Sequence, residues 1–183
     1  MKKIFLTTLI FSVVSCSVPE VPIDSLVERN GIVYQVNSDK PYSGKAIEYY
    51  ANGQAALIST YKKGKIAQNE DFQKNGMPEY KEVYDKNGTI IEEEYFYANG
   101  QLESKWSCEG EIENDICPYE EGYEYWENGQ LAYKSTYKNG EVVHEEGYWE
   151  NGQLQYKATY KNGNLIQEEE YYKNGEKIDE SNY

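Results

Sequence analysis

Apolar and polar residues alternate along most of this chain, and the alternation is in phase with a recurring Asn-Gly step. Two residues after that step stand Ala55, Pro78, Leu102, Leu131 and Leu154, and four after it stand Leu57, Tyr80, Tyr133 and Tyr156. Eight after it come Tyr61, Tyr84, Tyr137 and Tyr160, with Cys108 taking the place once. Polar side chains fill the places between: Gln101, Gln130 and Gln153, then Lys81, Lys105, Lys134 and Lys157. A period of two predicts a strand with one apolar face. Further along each unit an apolar pair (Ile90-Ile91, Val142-Val143, Leu165-Ile166) leads through an acidic stretch to an aromatic pair, as at Tyr125-Trp126 and Tyr148-Trp149. That is a second strand, and it runs into the next Asn-Gly.

The turns set the period. Gly53, Gly76, Gly100, Gly129, Gly152 and Gly175 each follow Asn, at spacings of 23, 24, 29, 23 and 23. A second series, Gly64, Gly88, Gly110, Gly140 and Gly163, lies between them. Asn-Gly between strand patterns predicts a type I′ hairpin, because that turn needs positive φ at both central residues. The expected fold is therefore all-β: an elongated antiparallel meander of stacked β-hairpin repeats with a period of about 23 residues. Six such units, about twelve strands at roughly 4.8 Å each, make a sheet on the order of 60 Å long. Single cross-strand pairs contribute only about 0.2–1 kcal/mol, so such an array is stable only collectively.

Composition narrows the function. The 183 residues include 20 Tyr and 1 His, and 18 basic against 32 acidic side chains give a net charge of −14. The acidic balance argues against nucleic acid as a partner, since phosphate binding needs clustered Lys and Arg. A single His argues against a His-based catalytic dyad and against a multi-His metal site. No cofactor, metal site or enzymatic activity is expected. His144 reads as a surface strand residue with no nucleophile to pair with.

The first residues follow a different pattern. Met1-Lys2-Lys3, an apolar run from Ile4 to Val14, and Ser15-Cys16 make a basic start and an apolar stretch too short to span a bilayer. Val13-Val14-Ser15-Cys16 resembles a bacterial lipobox, which implies removal of residues 1–15, acylation of Cys16 and an envelope location. Ser17 at the next position implies the outer membrane rather than the inner, facing the periplasm or the surface. Residues 16–28, with Pro19 and Pro22, read as a lipidated N-terminus and tether, and 29–183 as the repeat domain. The mature chain would carry 16 basic and 32 acidic residues, a net charge of −16.

The stretch Tyr125-Trp126-Glu127-Asn128-Gly129-Gln130-Leu131 with Tyr137-Lys138-Asn139-Gly140, repeated from Tyr148 to Gly163, resembles the MORN-type repeat in its bacterial variant, found in the YwqK-like antitoxin family. The opening Arg29 to Tyr34 and Lys40 to Gly44 are similar to the usual start of these proteins. The likeness covers about 29–183 and implies a scaffold. It departs from the family where Gln68, Glu92, His144 and Gln167 stand in places often held by Gly. As an antitoxin or immunity protein, the chain would neutralise a cognate, basic toxin.

Three groups are candidate sites. Cys108 and Cys117 bracket the one insertion that breaks the period, and in an exported protein they are expected to form a disulfide. Tyr133, Tyr137, Tyr156, Tyr160, Trp126 and Trp149 form either the packing face of the sheet or a binding ridge. The runs Glu92-Glu93-Glu94, Glu145-Glu146 and Glu168-Glu169-Glu170 read either as a solvated face or as an acidic stripe that attracts a basic protein. The expected activity is protein binding without chemistry, from a lipid-anchored sheet.

Overall fold

The computed structural model describes residues 18–114 and 116–179. Its strands are β1 (Glu20–Pro22), β2 (Leu26–Arg29), β3 (Ile32–Gln35), β4 (Gly44–Tyr49), β5 (Ala55–Lys62), β6 (Lys65–Phe72) and β7 (Pro78–Tyr84), then β8 (Ile90–Phe96), β9 (Leu102–Glu109), β10 (Tyr119–Tyr125), β11 (Leu131–Lys138), β12 (Glu141–Tyr148), β13 (Leu154–Lys161) and β14 (Asn164–Glu170). From β4 to β14 each strand pairs antiparallel with its sequence neighbours, and β1 adds in parallel beside β4 to make a 12-stranded sheet. The β2–β3 hairpin pairs separately. The expected meander is what the chain forms.

One expectation about the turns needs correction. Type I′ geometry holds at Lys63-Gly64, Asn139-Gly140 and Asn162-Gly163, where both φ angles are positive. At the opposite ends of the strands, in the series from Asn52-Gly53 to Asn174-Gly175, only the glycine has positive φ. There Gly53 N–H donates to Tyr50 O at 2.9 Å, and the Asn52 carboxamide oxygen accepts from Gln54 N at 3.1 Å. This is a three-residue loop, a type I turn closed by a left-handed glycine. The extra residue is absorbed by a register shift in the flanking strand, as between Glu48 and Tyr49. The Asn side chain caps the turn, so its backbone need not turn left-handed.

No large side chain is fully buried among the described residues; apart from glycines the buried residues are Tyr42, Ala46, Ile47, Cys117 and Ala158 with Ser59, Ser135 and Thr136. Three of the five apolar members lie at the start of the sheet. There the β2–β3 hairpin docks on the β5–β6 turn: Val33 N–H donates to Gly64 O at 2.9 Å, Gly64 N–H to Tyr42 O at 2.6 Å, and Tyr42 N–H to Val33 O at 2.9 Å. The Tyr42 hydroxyl donates to Lys45 O at 2.8 Å and lies 3.2 Å from Pro19 O, tying β1 to β4. Residues 20–28 are thus part of the fold, whereas the sequence pattern placed them in the tether. A three-residue parallel strand between two prolines has no alternation by which to be recognised. Cys16 and the 1–15 segment lie outside the described residues.

Candidate binding face

The pleat sorts every strand residue onto one of two faces, and cross-strand register keeps the sorting coherent across the sheet. One row runs Ala46, Ser59, Asn69, Glu82, Glu93, Trp106, Gly122, Ser135, Glu145, Ala158, Glu168. Beside it on the same face runs Glu48, Leu57, Asp71, Tyr80, Tyr95, Ser104, Glu124, Tyr133, Gly147, Tyr156, Glu170. These two rows hold eight carboxylates and no Lys or Arg. On the opposite face the row is Glu70, Lys81, Glu94, Lys105, Tyr123, Lys134, Glu146, Lys157, Glu169, in which four Glu meet four Lys.

On the first, tyrosine face the carboxylates accept hydrogen bonds from phenols. Glu145 accepts from Tyr133 at 2.6 Å and from Tyr160 at 2.7 Å. Tyr80 donates to Glu93, and Tyr84 to Glu82. Burial and the Glu145 bond push the Tyr133 phenol well above its usual range, while the Glu145 bond, then burial, takes Tyr160 to about 12. Asp71 is raised by burial and by its neighbours Glu82 and Glu79, with no cation to offset them. Tyr156 lies across Gly147, where a Cβ would collide with its ring. That place accepts a side chain only if the ring moves.

The second, lysine face is neutralised by ion pairs. Lys81 bridges Glu92 at 3.2 Å and Glu94 at 3.0 Å; Lys105 bridges the same two at 2.7 and 2.9 Å. Glu169 contacts Lys157 at 2.8 Å and Lys177 at 3.3 Å and accepts from Tyr171 at 2.6 Å. The Lys157 bond, then Tyr171 and Lys177, draw its pKa down to about 2. Glu146 is lowered by the hydrogen bonds of Tyr148 and His144.

The runs of Glu therefore do not form one stripe. Glu93, Glu145, Glu168 and Glu170 fall on the tyrosine face, whereas Glu92, Glu94, Glu146 and Glu169 fall on the lysine face, because adjacent residues of a strand point oppositely. Asp71, Glu82 and Glu124, which share the tyrosine face, were missed because they stand outside the runs. The alternation that placed Tyr80 and Tyr133 on one face would also have placed Glu82 and Glu124 there.

Four segments, residues 42–63, 91–107, 121–139 and 142–162, match the MORN repeat variant. These four segments of the sheet are similar to MORN-variant repeats. Each matched segment spans two strands around a three-residue Asn-Gly turn. The β6–β7 hairpin has the same turn but falls outside the matches, with Gln73 where other repeats have an aromatic and Met77-Pro78 where three of the four matched segments have Gln-Leu. No curated protein matches the chain. Among solved structures it is similar to a crystal structure of a GtfA/B complex bound to UDP and GlcNAc, at 9% identity and a TM-score of 0.28. That likeness covers 73% of this chain, which spans only 23% of the length of the other.

Within the repeats the aromatic before Asn-Gly belongs to the turn. Trp126 Nε1–H donates to Tyr148 O and Trp149 Nε1–H to Tyr171 O, both at 3.2 Å. Tyr97 donates to Tyr125 O and Tyr50 to Phe72 O, both at 2.7 Å. Asn128 and Asn151 carboxamides likewise donate to Glu150 O at 2.9 Å and Lys173 O at 2.8 Å. Each turn is thereby tied to the turn of the next repeat. The aromatic ridge expected from sequence therefore splits: Tyr133, Tyr137, Tyr156 and Tyr160 share the tyrosine face, and Trp126 and Trp149 join the column of turns.

Cys108 and Cys117 form a disulfide across the insertion, with Cα atoms 5.9 Å apart. His144 lies on the lysine face, 3.1 Å from Glu146. Among the described residues, no group of three or more His, Cys, Asp and Glu is placed to hold a metal ion.

Proposed function

We propose that this chain is a non-catalytic scaffold that docks a basic protein on its tyrosine face. The observation that carries this reading is the charge asymmetry: eight carboxylates without a cation in the two central rows of one face, against a paired ladder on the other. A docked Lys or Arg would supply to the tyrosine face what the lysine face already contains, and complementary potentials speed encounter and select partners. The phenols hold Glu145, Glu93 and Glu82 in place before any partner arrives. Acylation at Cys16 would fix the scaffold to a bacterial envelope membrane, the outer membrane by the Ser17 rule. An antitoxin or immunity role is the same surface with a cationic toxin as its partner.

Crosslinking in the native envelope, with identification of the captured protein, tests this. A basic protein is expected, with capture weakened by salt because exposed charges are screened beyond about 8–10 Å at 0.1–0.15 M. Recovery of glycan alone, or capture indifferent to salt, overturns it. Cys16→Ala is expected to abolish acyl labelling; continued labelling removes the anchor.

A further inference from the structure

The repeat is broken chemically, as well as in length, where β9 meets β10. The central row of the tyrosine face carries Glu93, Glu145 and Glu168 on β8, β12 and β14. At the same register β10 has Gly122. On the neighbouring strand, Trp106 stands where β5 and β11 have Ser59 and Ser135. The carboxylate that on β8 and β12 accepts from phenols is absent here, and an indole stands beside the gap. The result is an open depression of about 190 Å³ over Gly122 and Ser135, lined by Tyr95, Trp106, Tyr133 and Glu124. Lys105 and Tyr123 also border it, but they alternate onto the lysine face, where Lys105 is committed to Glu92 and Glu94.

Each aromatic wall is held from outside the depression. Trp106 Nε1–H donates to Glu120 at 3.1 Å, Tyr133 to Glu145 at 2.6 Å, and Tyr95 packs at a tilt against Tyr80 with ring centroids 4.6 Å apart. The aromatic rings are therefore positioned before anything binds. Glu124 is exposed and makes no hydrogen bond or ion pair among the described residues. Three aromatic rings and an uncommitted carboxylate attract a cation through ring quadrupole and charge together. Ligand clefts for drug-sized molecules run to about 300–1,000 Å³, so this one takes a side-chain head rather than a nucleotide or a folded segment.

We propose that the Gly122 depression is a cage for one organic cation, the ammonium or guanidinium head of a partner's Lys or Arg side chain. This deepens the scaffold reading by giving the basic partner an anchor point. It also explains why the departure from the repeat is a paired one: Glu at 122 would fill the cage, and Ser at 106 would remove its wall.

The test is a titration of the full chain with N-acetyl-lysine amide and N-acetyl-arginine amide, observed by saturation transfer from protein to ligand. Tetramethylammonium serves as a free small cation, and tert-butanol as an uncharged body of similar shape. Gly122→Glu and Trp106→Ser restore residues that other repeats carry at these registers, so both are expected to fold, with unfolding midpoints checked by circular dichroism. A Cβ at position 122 meets only the Ser135 hydroxyl, at 2.7 Å, which can rotate away. Saturable binding of the amino-acid amides, weakened about tenfold in both variants, equal to roughly 1.4 kcal/mol, supports the cage. Equal binding of tert-butanol, tetramethylammonium binding without either amide, or undiminished amide binding by folded Gly122→Glu overturns it. Failure of envelope crosslinking to recover any partner would sink the scaffold reading, while this titration still decides the cage.

Discussion

The two faces of this sheet are made from the same backbone and nearly the same residue types, yet they handle negative charge differently. On the lysine face Glu and Lys alternate from strand to strand between β6 and β14, broken only by Tyr123 on β10. Ion pairs join Lys81 and Lys105 to Glu92 and Glu94, Lys134 to Glu121 and Lys157 to Glu169. On the tyrosine face carboxylates meet phenols, which satisfy their hydrogen bonds and leave their charge. A single-layer sheet has no second layer to hide an unfavourable face, so both must be stable in water. One does so by neutralisation, the other by hydrogen bonding and hydration. The face that keeps its charge is the one left able to recruit a cation.

The largest test of that contrast is pH. Glu92, Glu121, Glu146 and Glu169, all on the lysine face, have pKa values lowered from 4.5, and Glu169 to about 2. A group depressed on folding stabilises above its unfolded pKa and ceases to do so as pH falls through the folded one. Urea midpoints are therefore expected to fall progressively below pH 4.5 toward about 2, and Glu169→Gln to flatten that limb. At the alkaline end Tyr84, Tyr148 and Tyr160 are raised from 10 to about 12, and Lys81 and Lys105 are raised as well. Groups raised on folding stabilise below the unfolded pKa, so stability is lost as pH climbs from 10 to about 12, now from both faces. An acid limb unaffected by Glu169→Gln would show that this ladder does not govern it.

A more local test removes the cations. Lys81→Met with Lys105→Met leaves Glu92 and Glu94 together on a half-buried surface, and is expected to cost about 2–3 kcal/mol, more at low salt. Smaller is the effect of Glu145→Ala, which strands the Tyr133 and Tyr160 hydroxyls; a loss of about 1–2 kcal/mol is expected, with little salt dependence. If both losses respond to salt alike, the faces are not held by different forces. Smallest in stability is Glu168→Gln with Glu170→Gln, within about 0.5 kcal/mol, yet it is expected to weaken capture of a basic partner. The matching change at Glu146 and Glu169 lowers stability and leaves capture intact, as measured by denaturation and pull-down side by side.

Much of this was legible in the chain. Positions two, four and eight after Asn-Gly named the strands, and the apolar and aromatic pairs named their returns. The Cys pair around the insertion was readable because only there does the period break. The acidic runs misled because they were read as runs: along a strand, Glu93 and its neighbours Glu92 and Glu94 face opposite ways. Trp126 and Trp149 misled because they follow a Tyr at the end of a strand, and only the turn geometry takes their indoles out of the pleat. The short β1 carries no repeat signal, and the β2–β3 hairpin, although it turns on Asn30-Gly31, gives no sign in its sequence of its docking on the β5–β6 turn.

The period, the strands and the alternation follow from the order of residues alone, because these depend on local sterics: where glycine is required and which side of a pleat a residue takes. Register between strands depends on contacts made far apart in the chain, and so what faces what is set by the assembled sheet. It put Lys81 and Lys105 astride Glu92 and Glu94, set Tyr133 and Tyr160 on Glu145, and left Gly122 as a gap beside Trp106.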